Sequence, residues 1–329
     1  MENETEKMTR PKRRTSFTNR IIWIIAVTFV MYLIVGELAQ EQLSRLFESI
    51  PGQSDAMHFT TYYYTTVLGS IIVLFLFLLI TWKKNGFVMK SFLPSDINGS
   101  KAFNFRLLGL GLLLGFITNF FCILCALLHG DIKLECIFSV SQIPLFLFAL
   151  LSVFIQSSSE EMWCRGFMYE RINVHYPLWV AVAINGILFG LLHAFNPGVT
   201  KLAIFDIIVC GISYSLLKWY SGSIWTCMGI HTAWNFTQNY LFGLPNSGLI
   251  SQVSAFRLAA ANGTTNLFYD YKFGVEGALP ALFIDALIGV VILVLAYREG
   301  RLNELLMSRE KLLSQQEAAQ LPAASPVSE

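Results

Sequence analysis

Eight long apolar runs constrain what this chain can fold into. Each has about the length that an α-helix needs to cross a bilayer core of about 30 Å at about 1.5 Å per residue. Hydrophobic residues make up 54% of the 329 residues and charged residues only 14%, whereas about 25% of a soluble domain is charged. This composition excludes a water-soluble globule and predicts an all-α, polytopic membrane protein with about eight transmembrane helices. The runs cover residues 21–37, 62–82, 107–128, 139–157, 178–195, 202–220, 224–242 and 277–297.

The basic residues predict the orientation of these helices. If the amino terminus is cytoplasmic and the eight runs alternate in direction, 18 of the 23 Lys and Arg residues fall on the cytoplasmic side, as the positive-inside rule requires. Five tryptophans then lie at cytoplasmic helix ends, where an interfacial aromatic belt is expected. Both termini are therefore predicted to be cytoplasmic. The tryptophans are Trp23, Trp82, Trp179, Trp219 and Trp225.

These predictions divide the chain into six parts, none of which has the composition of a folded soluble domain. The net charge of +1 and the lack of a basic stripe with interleaved aromatic residues predict no nucleic-acid partner. The parts are a basic cytoplasmic tail (1–20), helices one to three (21–138), a core of helices four to seven (139–242), an external loop (243–276), helix eight (277–297) and a cytoplasmic tail (298–329).

Ionisable residues within the apolar runs are the first candidates for function. A titratable side chain is costly inside a bilayer and usually marks a functional site. Here such residues fall into three short motifs within helices four to seven. The motifs are Glu160 and Glu161 with Arg165, Phe189 with His193, and His231 with Asn235.

Two interpretations of residues 160–171 are open. They could form a cytoplasmic loop, in which the charges are simply solvated. Alternatively, helix four continues to about Ile172, and the chain turns at about Pro177 and returns as helix five. Glu160 and His193 are nearly equidistant from that turn, and equal distance means equal depth in an antiparallel helical hairpin. The second interpretation therefore predicts that the carboxylate and the imidazole meet.

The third motif is harder to place by the same reasoning. His231 lies about ten residues beyond the next turn, at residues 221–222, which puts it at a depth of about 15 Å. His193 lies at about 22 Å by the same rise. The sequence thus predicts a depth difference of about 7 Å between the two histidines, unless helix tilt absorbs it.

Spacing within each motif predicts which side chains share a helix face. Residues four apart are neighbours on a helix, so Glu161 faces Arg165 and His231 faces Asn235. A buried carboxylate and guanidinium neutralise each other, which predicts a structural role for Glu161. Glu160 points about 100° away, and its local sequence leaves it unpaired and free to accept a proton.

The three motifs in this order resemble those of the CPBP family, also called Abi, which is named for CAAX proteases and bacteriocin-processing enzymes. The resemblance covers residues 145–242, and the eight-span layout is similar to that of type II CAAX prenyl endopeptidases. It implies an intramembrane endopeptidase in which Glu160 and His193 activate water. His231 and Asn235 would stabilise the oxyanion. The residues expected to support the site are Glu161, Arg165 and Phe189, with Phe189 packed beneath His193.

The resemblance implies a peptide or a membrane-associated protein as the substrate, with the lipid bilayer as the surroundings of the enzyme. Prenylated proteins, bacteriocin leaders, peptide pheromones and fragments of membrane proteins all fit this description. The motifs look most like those of the bacterial branch, which predicts a multi-pass protein of a bacterial cytoplasmic membrane.

Two other functions are compatible with the sequence. A proton-coupled transporter also uses intramembrane acids and histidines, but it predicts paired motifs in two halves of the chain. A catalytically silent scaffold or regulator would typically have lost motif residues. Asp206 and Asp285, which lie in helices six and eight outside the motifs, are as easily explained by helix packing as by function.

The sequence also permits a zinc site formed by Glu160, His193 and His231, because two histidines and a glutamate are common zinc ligands. No His-x-x-x-His pair fixes two ligands on one helix, however, and the predicted depth difference is large beside a Zn–N bond of about 2.0 to 2.1 Å. We therefore expect water activation by glutamate and histidine without a cofactor.

Overall fold

The computed structural model describes residues 20–92, 101–261 and 265–320, which form an all-α protein with one two-stranded sheet. The predicted basic tail before residue 20 and residues 321–329 lie outside the described residues. The helices are α1 (Ile21–Glu48), α2 (Asp55–Ile80), α3 (Trp82–Phe92), α4 (Lys101–His129), α5 (Val140–His175), α6 (Leu178–Leu192), α7 (Lys201–Ser221), α8 (225–241), α9 (Leu279–Arg298) and α10 (Arg309–Gln320). The strands are β1 (Ile132–Cys136) and β2 (Phe256–Ala261). Short 3₁₀ turns lie at Val275–Gly277 and Leu302–Leu306.

Six of the described helices are long and apolar enough to cross a membrane, namely α1, α2, α4, α5, α7 and α9. This confirms an all-α, polytopic membrane protein, whereas the predicted count of eight spans stays a prediction. The other two predicted spans correspond to α6, with 15 residues, and α8, with 12 α-helical and 5 π-helical residues. At about 1.5 Å per residue, α6 extends about 22 Å and α8 about 25 Å, less than a full hydrocarbon core.

Helix α5 carries the first motif and continues far beyond it. It runs from Val140 to His175, and the segment Met162–Met168 is π-helical, a local widening that is frequent at functional sites. The helix ends because Pro177 follows: Tyr176 adopts the extended conformation that a residue before proline prefers. The interpretation of residues 160–171 as a cytoplasmic loop is therefore wrong, and the helical hairpin is the observed structure.

Glycines let α8 pack against α4 at backbone contact. A Cβ atom on Gly111 would lie 2.3 Å from the carbonyl oxygen of Thr226, and one on Gly115 would lie 2.2 Å from that of Ile230. Gly229 on α8 meets the α4 backbone in the same way. Small residues four apart allow such close helix packing in membranes. This contact fixes the position of the helix that carries the third motif.

Three loops fold together at one end of the helices, and we call their described residues, 130–139, 193–200, 242–261 and 265–278, the cap. Strand β1 pairs with β2 in antiparallel orientation, which ties the α4–α5 loop to the α8–α9 loop. Asn196 in the α6–α7 loop donates a hydrogen bond from Nδ2 to the carbonyl oxygen of Ser247, at 3.2 Å. The three loops therefore lie on one side of the membrane, as the predicted alternation requires.

The opposite end is closed by the carboxyl-terminal tail, which contains α10. Glu170 on α5 pairs with Lys218 on α7 and with Arg309 on α10, where Oε2 lies 2.9 Å from Nη1. Trp219 donates an indole hydrogen bond to Glu304 at 2.8 Å. The carboxyl-terminal tail thus packs against the ends of α5 and α7 that lie away from the cap.

The orientation of these two ends can be tested by cysteine labelling. We expect Gln252→Cys in the cap to react with a membrane-impermeant maleimide in intact cells, because the charge distribution predicts that the cap is external. Leu306→Cys, at the opposite end, should react only after the membrane is opened. Both variants should carry Cys136→Ser, because Cys136 is an exposed thiol of the cap. Labelling of both positions from the same side would contradict the predicted topology.

Candidate functional site

The three motifs meet where α5, α6 and α8 converge beneath the cap. Nε2 of His193 lies 3.9 Å from Oε2 of Glu160, and Nε2 of His231 lies 3.9 Å from the same oxygen. The predicted meeting of Glu160 and His193 is thus found in the structure. The predicted depth difference of about 7 Å between the histidines stays a prediction, because two distances to one oxygen do not fix the separation of the two rings. Both imidazoles nevertheless reach the same carboxylate oxygen.

The second nitrogen of each imidazole contacts an acceptor that sets the orientation of the ring. Nδ1 of His193 lies 2.9 Å from the carbonyl oxygen of Phe189, and Nδ1 of His231 lies 3.0 Å from Oε1 of Glu161. A carbonyl or carboxylate oxygen only accepts hydrogen bonds, so Nδ1 carries the proton in both rings. Neutral His193 therefore turns an unprotonated Nε2 towards Glu160.

Glu161 and Arg165 form the buried ion pair that the spacing predicts. Nη1 of Arg165 lies 3.0 Å from Oε1 of Glu161, and both side chains are fully buried. The same carboxylate oxygen also accepts the hydrogen bond from His231. The sequence could not reveal this third partner, because it lies 70 residues away on another helix. Glu161 thus both neutralises a cation and orients an imidazole.

Phe189 packs beneath His193, as expected, and also supports the arginine. Its ring centroid lies 4.9 Å from that of His193, and the guanidinium carbon of Arg165 lies 3.9 Å above the same ring. Such a cation–π contact contributes on the order of 0.5 to 2 kcal/mol, with the larger values at desolvated sites. The aromatic side chain separates the arginine from the imidazole and keeps both rigid.

Glu160 is not entirely unpaired, which corrects the prediction from its local sequence. Gln156, one helical turn earlier, donates from Nε2 to Oε1 of Glu160 at 2.5 Å. The spacing of four residues could have identified this contact. The other oxygen, Oε2, is buried without a hydrogen-bond partner among the described residues. One oxygen of Glu160 is therefore held in place, and the other faces the two histidines.

A chain of amides continues from Glu160 through Asn235 to the cap. Nδ2 of Asn235 donates to Oε1 of Gln156 at 3.2 Å. Oδ1 of Asn235 accepts from Nδ2 of Asn246 at 3.2 Å, and the same Nδ2 donates to Oε1 of Glu276 at 2.7 Å. The cap residues of this chain, Asn246 and Glu276, were not identified from the sequence.

The two carboxylates at the ends of the chain fix the direction of every amide between them. Because a carboxylate accepts, Asn246 must turn its NH₂ group to Glu276, and that group then meets Oδ1 of Asn235. The NH₂ group of Asn235 consequently faces the side of Gln156 and Glu160. One of its two protons is used by Gln156, so the second is available to another acceptor.

Glu276 itself is held by four donors. Trp234 donates from Nε1 at 3.1 Å, and Ser247 donates from both its backbone nitrogen and its hydroxyl group, at 2.9 and 2.8 Å, in addition to Asn246. Burial raises the pKa of Glu276, and the hydrogen bonds from Ser247 and Trp234 oppose that rise. Only the ionised form accepts at all four contacts.

A cavity of about 280 Å³ is lined by Glu160, both histidines and Asn235. A second cavity of about 50 Å³ lies behind the histidines and is lined by Asp206 and Asp285. Both aspartates are buried, and Oδ1 of Asp206 has no hydrogen-bond partner among the described residues. The larger cavity is therefore the space in which a substrate can reach the carboxylate.

Comparisons with known proteins agree with this geometry. Residues 142–237 match the family described as type II CAAX prenyl endopeptidase Rce1-like, which confirms the predicted resemblance over the segment that contains all three motifs. The chain is also 28% identical, over 210 residues, to the uncharacterized protein YyaK of Bacillus subtilis (strain 168). That match covers 61% of this chain and 60% of the relative. No solved structure matches the chain.

The ion pair of Glu161 can be tested without a substrate. We expect Glu161→Gln to lower the stability of the purified protein by about 3 to 5 kcal/mol, because it leaves Arg165 as an uncompensated buried charge. Glu160→Gln is the matched control. It removes a negative charge at the adjacent position but leaves the ion pair of Glu161 and Arg165 intact, so its melting temperature should stay near that of the wild type. Thermal unfolding in detergent measures both. Equal stability of the two variants would contradict the structural role of Glu161.

Proposed function

We propose that this protein is an intramembrane endopeptidase of the CAAX-protease type that hydrolyses peptide bonds with water activated by Glu160 and His193. The observation that carries the proposal is Oε2 of Glu160, which is buried without a hydrogen-bond partner among the described residues and lies 3.9 Å from both Nε2 atoms. The family match supports a protease rather than a transporter, because it covers the segment that holds these residues.

The separations favour a water molecule over a zinc ion between the three side chains. Ligands at about 2.0 to 2.1 Å from zinc would need an angle of about 145° at the metal to lie 3.9 Å apart, whereas a tetrahedral site needs about 109°. A water oxygen at about 2.8 Å from each atom needs an angle of about 90°. No group of three or more His, Cys, Asp or Glu residues within the described ranges has the geometry of a metal site.

The hydrolysis uses one water molecule and returns all protons to the products. The water donates one proton to Glu160 and is oriented by a hydrogen bond to Nε2 of His193 while its oxygen attacks the carbonyl carbon. When the tetrahedral intermediate collapses, the carbon–nitrogen bond breaks, and Glu160 returns the proton to the leaving nitrogen. Glu160 thus serves first as the general base and then as the general acid.

Two donors are available for the oxyanion. Asn235 has an NH₂ proton that Gln156 does not use, and the chain through Asn246 keeps that group turned into the cavity. His231 has a carboxylate at each ring nitrogen, an arrangement suited to a doubly protonated ring that donates through Nε2. Donors held in place before the reaction stabilise developing charge without reorganisation.

Substitutions should separate these roles. We expect Glu160→Gln, His193→Ala and His231→Ala to abolish peptide cleavage and to leave membrane insertion intact. Asn235→Ala should retain about 0.1 to 1% of the activity, because loss of one oxyanion donor typically lowers the rate by about 100- to 1000-fold. Comparative peptidomics of cells that carry each variant measures the products, with Glu48→Gln, an exposed glutamate on α1, as the matched control. Full turnover by Glu160→Gln would remove this carboxylate from the mechanism.

Chelation tests the proposed absence of a catalytic metal. We expect the purified protein to keep its activity after prolonged dialysis against a chelator, because the base is a carboxylate and not a metal-bound hydroxide. Elemental analysis should find well under one zinc per chain. Loss of activity on chelation with recovery on addition of zinc would replace this mechanism with one in which Glu160, His193 and His231 are ligands.

A further inference from the structure

The cavity above Glu160 is closed towards the end of the molecule where the carboxyl-terminal tail packs. Residues 161–172 of α5, which lead from the carboxylate to that end, are all buried. Trp163 and Arg165 are fully buried among them, and Ile24 on α1 packs with only 2% exposure. A substrate cannot reach Glu160 from this side without displacing the most densely packed part of the protein.

The mouth of the cavity lies at the other end, between α1 and the cap. Its exposed lining residues are Leu33 and Glu37 on α1 and Tyr63 on α2, and Asn196 and Leu249 line it from the cap. Glu37 lies 16 residues after the start of α1 at Ile21, which corresponds to about 24 Å along the helix. The mouth therefore lies near the boundary of a hydrocarbon core of about 30 Å, on the side of the cap.

The charge distribution identifies this side as the external one. In the predicted topology 18 of the 23 Lys and Arg residues fall on the cytoplasmic side, and 17 do so when Arg165, which is buried within α5, is left out; basic residues are retained in the cytoplasm. Lys133 and Arg257, two of the few basic residues at the cap end, lie on the exposed ribbon of β1 and β2. The cavity thus opens outwards, and its closed floor faces the cytoplasm.

The chemistry of the mouth suits a polypeptide backbone. Tyr63, Gln40 and Asn196 present hydroxyl and amide groups that can donate and accept hydrogen bonds, and Leu33 adds an apolar contact on the lipid side. The cavity has a volume of about 280 Å³. It can therefore hold a short extended segment, whose amide groups need such partners at membrane depth.

From these observations we infer that substrates enter from the external face, and that they are exported or membrane-anchored polypeptides with an extended segment at the outer boundary of the bilayer. The inference rests on the proposed peptidase activity. The likeness to CAAX proteases then concerns the site and its chemistry and not a cytoplasmic chain end as the substrate, since the cytoplasmic side of the site is closed.

Fractionated peptidomics separates this inference from the proposed function. Spheroplasts with the wild-type protein and with Glu160→Gln are compared, and peptides are identified separately in the medium, the membrane and the cytosol. We expect the peptides whose production depends on Glu160 to appear in the medium and in the membrane fraction. If only cytosolic peptides differ between the wild type and Glu160→Gln, the inference of external entry is overturned, but the peptidase activity is not. No difference in any fraction would remove the peptidase activity and this inference with it.

Blocking the mouth from outside provides a second measurement. A membrane-impermeant maleimide is added to intact spheroplasts carrying Leu249→Cys, and peptide release is compared with and without the reagent. We expect at least a tenfold loss of release on treatment. Leu306→Cys, at the cytoplasmic end, is the matched control, and wild-type protein controls for the native thiols; release should be insensitive to the reagent in both. Modification of Leu249→Cys only after the membrane is opened would overturn the inference.

Discussion

A buried carboxylate in an apolar helical bundle must be neutralised, and the arrangement around Glu161 satisfies this requirement. Glu161 accepts from Arg165 on its own helix and from His231 on α8. Because the cost of an unpaired charge at this depth is several kcal/mol, the two helices cannot shift relative to each other without losing a charged contact. The adjacent Glu160 is thereby held with one oxygen towards both histidines, although no arginine or lysine among the described residues pairs with it.

The sequence predicts much of this fold because the controlling patterns are local. The length of the apolar runs predicts the helices, and the matched spacing about Pro177 predicts that Glu160 meets His193. What the sequence does not reveal is the relation between distant segments, such as the hydrogen bond of His231 to Glu161 and the contact of α4 with α8. Helical rise could not settle whether His231 reaches Glu160 for the same reason, since it measures distance along one helix and not between two.

Gln156 and Asn246 were missed for a different reason. Asparagine and glutamine residues are common in loops and at helix ends, so their presence alone predicts no function. They matter here because they form a continuous chain of hydrogen bonds, in which each amide between Glu160 and Glu276 has its direction fixed by the next. The shortness of α6 and α8 serves the same arrangement. Helix α6 ends at the site, one residue before His193, and cap residues beyond α6 and α8 line the cavity, where an irregular backbone is tolerated at membrane depth.

The separation of 70 residues between Glu161 and His231 also has a consequence for biosynthesis. When α5 leaves the ribosome and enters the bilayer, only Arg165 is present to neutralise Glu161, and the helix that supplies the second partner has not been made. The site therefore cannot form as each helix is inserted; α5 remains incompletely satisfied until two more helices and α8 have followed. A nascent chain that ends before α8 therefore lacks one of the two partners of Glu161 and cannot complete the site.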